Sequence, residues 1–390
     1  MKVFSDLHIH IGRTKENQPV KITASPNLTL FEILRTAYEE KGLNLVGIVD
    51  AACKGVLFQL QEAVAEEKLV PINGGGYVYQ DKVVLFLGSE VEIAHLGGGS
   101  AHFLAYFPTL TDIQAYSTSL RPFVTNPTLS TQKLRLSGNH WLEIVSDHNG
   151  IVLAAHAFTP HKGVYGNCVS QLKEMFTHPD KIIGLELGLS ADIHMAQSIK
   201  DTHSYPYIAS SDAHSLGNIG REFTVYEMPA LNFNQWVKVL KGEEGRIAAV
   251  HGMNPLLGKY YRSYCPDCHY IAEEMEAVFT CPHCSNRMVN GVWDRIMQLK
   301  DASEPFPSRP PYISHIPLRM IPGVGERTYR KLLNTLGSEI DILYRTSIND
   351  IAQIAGPRIA HQITASRSGT LSLIPGGGGK YGRVAKSMER

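Results

Sequence analysis

Met1-Lys-Val-Phe-Ser-Asp-Leu-His-Ile-His10 ends an apolar run in two imidazoles two residues apart. Side chains two apart on a strand point the same way. His8 and His10 are therefore expected to project together, with Asp6 on their face. Two neutral imidazoles held side by side are the beginning of a metal site. Most isolated His-X-His pairs are ordinary surface or core histidines. Here later apolar runs end at or carry further ionisable groups: Asp50, Glu90, His102, His156, Glu186, Asp212 and His214. Mixed imidazole and carboxylate ligands suit Zn or Mn better than Mg. Two such ions would make water a nucleophile near neutral pH and shield both oxygens of a phosphodiester displacement.

Something must bring these groups together. Residues 27–41 have helical periodicity, with Gly42 placed as a C-cap. Apolar strands are expected at residues 43–49, 83–88, 101–107, 150–155, 181–187 and 207–209. Apolar strand, ionisable residue and crossover in repetition signal an α/β sheet or barrel. In a barrel the strands open on one face, where catalytic groups collect. Two triple-glycine loops, Gly74–Gly76 and Gly97–Gly99, are expected beside that mouth.

The runs Asp6-Leu-His8-Ile-His10, Gly88-Ser-Glu90-Val, His102-Phe-Leu-Ala-Tyr-Phe107, Ala155-His156 and Ser211-Asp212-Ala-His214 resemble, in order and spacing, the motifs of the polymerase and histidinol phosphatase (PHP) superfamily. The resemblance spans roughly residues 1–230. It implies a distorted (β/α)7 barrel with two or three divalent metals that hydrolyses phosphoesters. One ion would be held by His8, His10, Glu90 and Asp212, and another by Glu90, His102 and His156, with Glu90 shared. The family's Thr-Asp-His is here Val49-Asp50-Ala51, so Asp50 and His214 would hold a third ion only weakly. Gly188–Asp192, Ser210–Ser215, Gly220–Glu222 and His251–Arg262 resemble the endonuclease Q family. That family implies nicking on the 5′ side of deaminated bases (uracil, hypoxanthine, xanthine) or abasic sites. Glu186, Asp192 and His194 are then candidates for outer-shell or lesion-pocket groups, or are plain surface polar residues.

Cys265-Pro-Asp-Cys268 and Cys281-Pro-His-Cys284 are two Cys-X2-Cys knuckles twelve residues apart. Four thiolates complete a tetrahedron around zinc and leave no open position, so this site should fold a module. His283 reads as an exposed loop residue. A proline-rich run at 302–311 reads as a semi-rigid linker. Ile321-Pro-Gly-Val-Gly325 looks like the hairpin of a helix-hairpin-helix motif, with Gly323 and Gly325 letting backbone amides approach a phosphate. Arg327, Arg330 and Lys331 stand near that helix start, and a poorer copy follows at 351–360. Such contacts grip DNA without reading its sequence. Residues 373–381, with four glycines and Lys380, fail the nucleotide-loop pattern and read as a mobile loop that touches DNA.

The domain reading is therefore a barrel at 1–255, a four-cysteine zinc module at 256–295, a linker at 296–317 and a helical DNA-binding domain at 318–390. Net charge is zero but segregated: 20 basic and 25 acidic residues before position 256, 17 and 12 after it. An acidic, His-rich body with a basic tail suggests that the tail holds a polyanion while the body does chemistry. No run of eighteen apolar residues and no basic, apolar leader is present. The expectation is a cytoplasmic, nucleoid-associated protein with damaged DNA as partner and room for a replication or repair protein. The leading function is a DNA-repair endonuclease. The alternatives are an exonuclease or small-molecule phosphatase, and a DNA-binding protein with a dead barrel.

Overall fold

The computed structural model describes residues 1–385. The last five residues of the expected tail, 386–390, lie outside the described residues. A twelve-stranded mixed sheet forms the body. Its principal strands are β1 (Lys2–Ile9), β2 (Leu45–Ile48), β3 (Val83–Ala94), β4 (Ser100–Phe107), β5 (Ile151–Ala154), β6 (Ile182–Glu186), β7 (Tyr207–Ile208), β8 (Phe223–Glu227), β9 (Arg246–Met253) and β10 (Tyr312–His315).

Strands β1, β2 and β3 run parallel, β3–β4 and β4–β5 are antiparallel, and β5, β6 and β7 run parallel again. Just beyond β7 the chain returns to the end of β1. Ala213 pairs with Ile9, His10 N–H donates to Ala213 and Ala213 N–H donates to the His8 carbonyl. Seven strands thus curl round until the last meets the first at the end that carries His8 and His10. The other half of β1 is taken by β8, which extends the sheet to β9 and β10. Val3, Leu7, Leu45, Phe86, Leu104, Tyr106, Leu153 and Ile208 form one buried cluster, closed by Trp236. Apolar residues at alternate positions of successive strands pack into it, as the period of two requires.

Strict alternation fails within β1. Its register against β2 slips between Asp6 and Ile9, leaving one more residue on β1 than on β2. Such a bulge changes which side chains face inward. Asp6 therefore does not join the two histidines. Its carboxylate accepts the N–H groups of Ser211 and Gly220 and so ties down the segment bearing Asp212.

Residues 302–311 do lack helix and strand, but the expected linker is not a simple spacer. Its first residues belong to the helix Val292–Leu299, and its end is β10, parallel to β9 at the sheet edge. The helices Glu326–Leu336, Glu339–Tyr344, Ile348–Ala355 and Pro357–Arg367 share a core with Leu318, Ile321 and Val324. They dock on the barrel through a buried ion pair: Lys41 Nζ lies 2.6 Å from Glu339, which also accepts from Tyr329 and from Leu318 N–H. A buried pair holds geometry firmly because loss of either member strands a charge. Gly74–Gly76 packs against Asn232, Phe233 and Pro108 at the barrel end away from the histidines, not at its mouth.

Candidate active site

Six side chains from five places in the chain meet at the mouth. His8 and His10 leave the end of β1, Glu90 lies in β3 and His102 in β4, His156 follows β5, and Asp212 follows β7. His8 Nε2 is 3.5 Å from Glu90 Oε1 and 3.4 Å from Asp212 Oδ1. His10 Nε2 is 3.4 Å from Glu90 Oε2 and 3.4 Å from Asp212 Oδ1. On the other side, Glu90 Oε1 is 3.0 Å from His102 and 3.5 Å from His156. Two ligand groups result, His8/His10/Asp212 and Glu90/His102/His156, with Glu90 touching both.

His8 Nε2, His10 Nε2 and Asp212 Oδ1 are buried and have no hydrogen-bond partner. Buried polar atoms are costly unless paired, and three such atoms aimed at one point fit a cation. His156 and Asp212 also hold positive φ, 28° and 45°. Residues other than glycine keep that conformation where the surrounding structure imposes it, often at functional sites. A side chain at Gly188, whose φ is 72°, would press on the Cβ of His156 at 2.7 Å.

The outer contacts set the tautomers. His8 Nδ1 is 2.9 Å from Glu186, which also accepts the His156 N–H at 2.9 Å. His10 Nδ1 is 3.0 Å from Asp50. Each carboxylate holds the proton on Nδ1 and leaves Nε2 free as a ligand. Burial alone would push the Glu90 and Asp212 carboxyls up, but His102 and Lys21 beside Glu90, and His8 and His10 beside Asp212, outweigh it and hold both well below the usual range. Glu186→Gln, which keeps shape but removes the charge that holds the proton on Nδ1, is expected to weaken metal affinity about 10- to 100-fold, read by Mn2+ titration of the full chain.

Several expected residues are placed elsewhere. Asp50 is spent on His10, on the Ile11 N–H and on the Ser130 hydroxyl, so it supports a ligand instead of joining a third ion. The His214 ring lies tilted beside that of His10, with centroids 4.7 Å apart, and its Nδ1 faces the Asp212 carbonyl at 3.0 Å. Asp192 caps the turn Ile193–Ala196 by accepting from Met195 N–H, and His194 is exposed beside Phe306. Neither lines the cleft at the ligand cluster. In the helical region Gly323 (φ 94°) and Gly325 do form the turn into the helix Glu326–Leu336. Arg330, however, pairs with Glu40 and Glu326, and Lys331 bonds the Ile354 carbonyl, while Arg327 is exposed.

The glycine segment near the C-terminus is pinned. Gly376 and Gly382 N–H groups donate to the Leu256 and Leu257 carbonyls, and Lys380 is exposed. This pinning delivers Tyr381, which sequence reasoning missed, to the cleft. Its hydroxyl accepts from Arg221 at 2.7 Å, and Lys259 Nζ lies 4.5 Å over its ring. Lys21, also missed, reaches Glu90 Oε2 at 3.1 Å and Thr131 at 2.5 Å. Neither carries a motif. A signal existed only for Tyr381, in the Gly-Gly-Lys-Tyr spelling. The four cysteine sulfurs cluster as one ligand set, with Cys265–Cys284 at 3.5 Å and Cys268–Cys281 at 3.3 Å. His283 is exposed and packs on Tyr270 instead of joining them.

The curled barrel and its shared-carboxylate ligand cluster define a metal-dependent phosphoesterase of the PHP class. A PHP-associated family model matches residues 193–243. Over 98% of this chain and 99% of the other, the sequence is 41% identical to "Uncharacterized protein YqxK" of Bacillus subtilis (strain 168). The lesion-specific endonuclease PfuEndoQ of Pyrococcus furiosus superposes with a TM-score of 0.83 at 34% identity, covering 98% of this chain and 95% of that one. Endonuclease Q in complex with a 27-mer duplex substrate with an abasic lesion at the active site superposes with a TM-score of 0.84 at 33% identity, covering 99% and 97%. The chain belongs to the endonuclease Q family, and its enzymatic class is that of a metal-dependent endonuclease.

Proposed function

We propose that this chain is a DNA-repair endonuclease that hydrolyses the phosphodiester 5′ of a deaminated base (uracil, hypoxanthine or xanthine) or an abasic site. The observation that carries this reading is Glu90, shared between two ligand groups and lining one of two clefts that meet at His156 and Asp212. One cleft, of about 500 Å³, includes His156, Asp212, Arg221, Lys259 and Tyr381. The other, of about 640 Å³, includes His156, Asp212, Lys21 and Lys162. A strand crossing from one cleft to the other would pass over the ligand cluster. Lys259 and Arg221 would meet its phosphates, and the Tyr381 ring offers a face for an unstacked base. Damaged or mispaired bases cost less to flip, which favours them in such a pocket.

Under this reading His8, His10, Glu90 and Asp212 hold one divalent ion, and Glu90, His102 and His156 hold the other. Bound there, the ions supply Lewis-acid activation of water and neutralise charge on the reacting oxygens. The chain's own residues fix the imidazole tautomers through Glu186 and Asp50 and keep Glu90 ionised through Lys21. Zn or Mn suits this donor set better than Mg, and zinc suits the four cysteines. Arg327 and the amides at Gly323 and Gly325 are proposed to grip the DNA backbone as in a helix-hairpin-helix, with Lys380 at the cleft edge. Among the described residues no helix is long and apolar enough to cross a membrane. The reading puts the protein with DNA in the cytoplasm, where a replication or repair protein could recruit it.

The test is a duplex with one deoxyuridine, deoxyinosine or abasic site, labelled on either strand, with product ends mapped in Mn2+. One internal nick 5′ of the lesion is expected, and none in the undamaged duplex. Shortening from the ends would instead indicate an exonuclease. Binding without scission under any divalent metal would indicate a dead barrel.

A further inference from the structure

A third ion would fall to Asp50 and His214, beside Glu90, whose second oxygen also faces His10 Nε2 at 3.4 Å. Asp50 is saturated by His10, Ile11 N–H and Ser130. His214 faces the Asp212 carbonyl. Glu90 Oε2 is met by an ammonium, Lys21 Nζ at 3.1 Å, and by the Thr131 hydroxyl at 2.6 Å. The lysine is held from two sides. Its N–H bonds the Ile11 carbonyl, fixing it beside the β1 end, and its Nζ bonds Thr131 at 2.5 Å. Thr131 holds a φ of 51°, a conformation β-branched residues rarely adopt. Adjacent Ser130 and Thr131 thus secure Asp50 and Glu90 together. The lysine side chain is only 13% exposed, yet it lines the cleft that contains His102, His156 and Asp212.

We infer that Lys21 is a built-in third cation of this centre: it fills the position beside the bridging carboxylate, limits the cluster to two ions and sets a positive charge beside the phosphate. Being covalently attached, it cannot be lost to a chelator or exchanged. Its charge also opposes the two ions that share Glu90, since like charges at such distances repel. Removing it should therefore have opposite effects on metal binding and on catalysis. This inference rests on the proposed metal-dependent nuclease reading.

The experiment is Mn2+ titration of the full chain, counting free ion by its magnetic resonance signal, with the zinc of the four-cysteine site measured to verify an intact fold. Lys21→Met and Lys21→Arg are compared with the wild type, and nicking of an abasic duplex is followed in parallel. The expected result is Mn2+ bound roughly tenfold or more tightly by Lys21→Met. In the same variant kcat should fall about 30-fold with KM changed less than about threefold, because the charge would act on the phosphate in the transition state. Lys21→Arg, which keeps the charge, should lie closer to the wild type than Lys21→Met in both. A residue that only braces the site would weaken Mn2+ binding and kcat together when replaced by methionine. Equal or weaker Mn2+ binding by Lys21→Met, with its zinc retained, overturns the inference alone. A wild-type chain that takes up no Mn2+ beyond the cysteine site overturns the nuclease reading and the inference with it.

Discussion

Glu90→Gln is expected to slow strand scission by about 10³-fold or more, equivalent to ~4 kcal/mol of lost transition-state stabilisation, while affinity for a lesion duplex stays within about threefold. The reason is geometric. Glu90 is the carboxylate that the two ligand groups share at their ring nitrogens, within 3.5 Å of His8, His10, His102 and His156. The amide keeps the volume, so the packing of β3 against β2 and β4 survives. What it loses is charge, and with it the ability to be shared between two cations. It also places an N–H₂ group among imidazole nitrogens that should be ligands and leaves the Lys21 ammonium without its buried counter-ion, which is strongly destabilising at the site itself. Single-turnover nicking in Mn2+, set beside filter binding of the same duplex, separates the two quantities. A scission rate within tenfold of the wild type would mean that the chemistry is done elsewhere.

Cys281→Ser is the second large effect. The module between the barrel and the helix Val292–Leu299 has a small core, Cys265, Ala272, Cys281 and Met288. Its other anchor is buried Asp294, which holds Arg262 and the N–H groups of Ser263 and Val278. With the proposed zinc bound, a module with so little apolar burial would depend on that ion, since structural zinc supplies about 10–16 kcal/mol in zinc-finger peptides. Replacing one thiolate is expected to release the ion and open the module. The damage should spread, because Tyr264 of the module packs on Gly378, in the same glycine segment that delivers Tyr381 to the cleft. The measurements are total zinc per chain, proteolysis within 264–289, and duplex affinity. Loss of zinc with full DNA affinity would show that the module serves stability and not the substrate.

The pattern of apolar runs ending in ionisable residues carried most of the barrel, because strand period and turn residues are local properties. The helix before Gly42 was legible for the same reason, its left-handed C-cap being a local requirement at φ 80°. What could not be read was anything decided by approach from a distance. The linker reading failed at Tyr312–His315 because the edge of β9 was free to take another strand. Arg330 and Lys331 looked available for DNA because nothing local shows that Glu40 and the Ile354 carbonyl reach them. The segment 373–381 looked mobile because its anchors are carbonyls more than a hundred residues earlier.

By itself, the order of residues determined which groups could do chemistry: imidazoles and carboxylates at strand ends, and thiolates at knuckle spacing. Residue type and short-range periodicity suffice for that, since they fix donor atoms and the face each side chain takes. The tertiary structure alone decided how those groups divide their work. A one-residue slip in β1 takes Asp6 out of the cluster, closure of β7 onto β1 brings Asp212 to His8 and His10, and Lys21 comes to rest on Glu90. These are matters of a few ångströms between segments far apart in the chain, and only packing the whole barrel sets them.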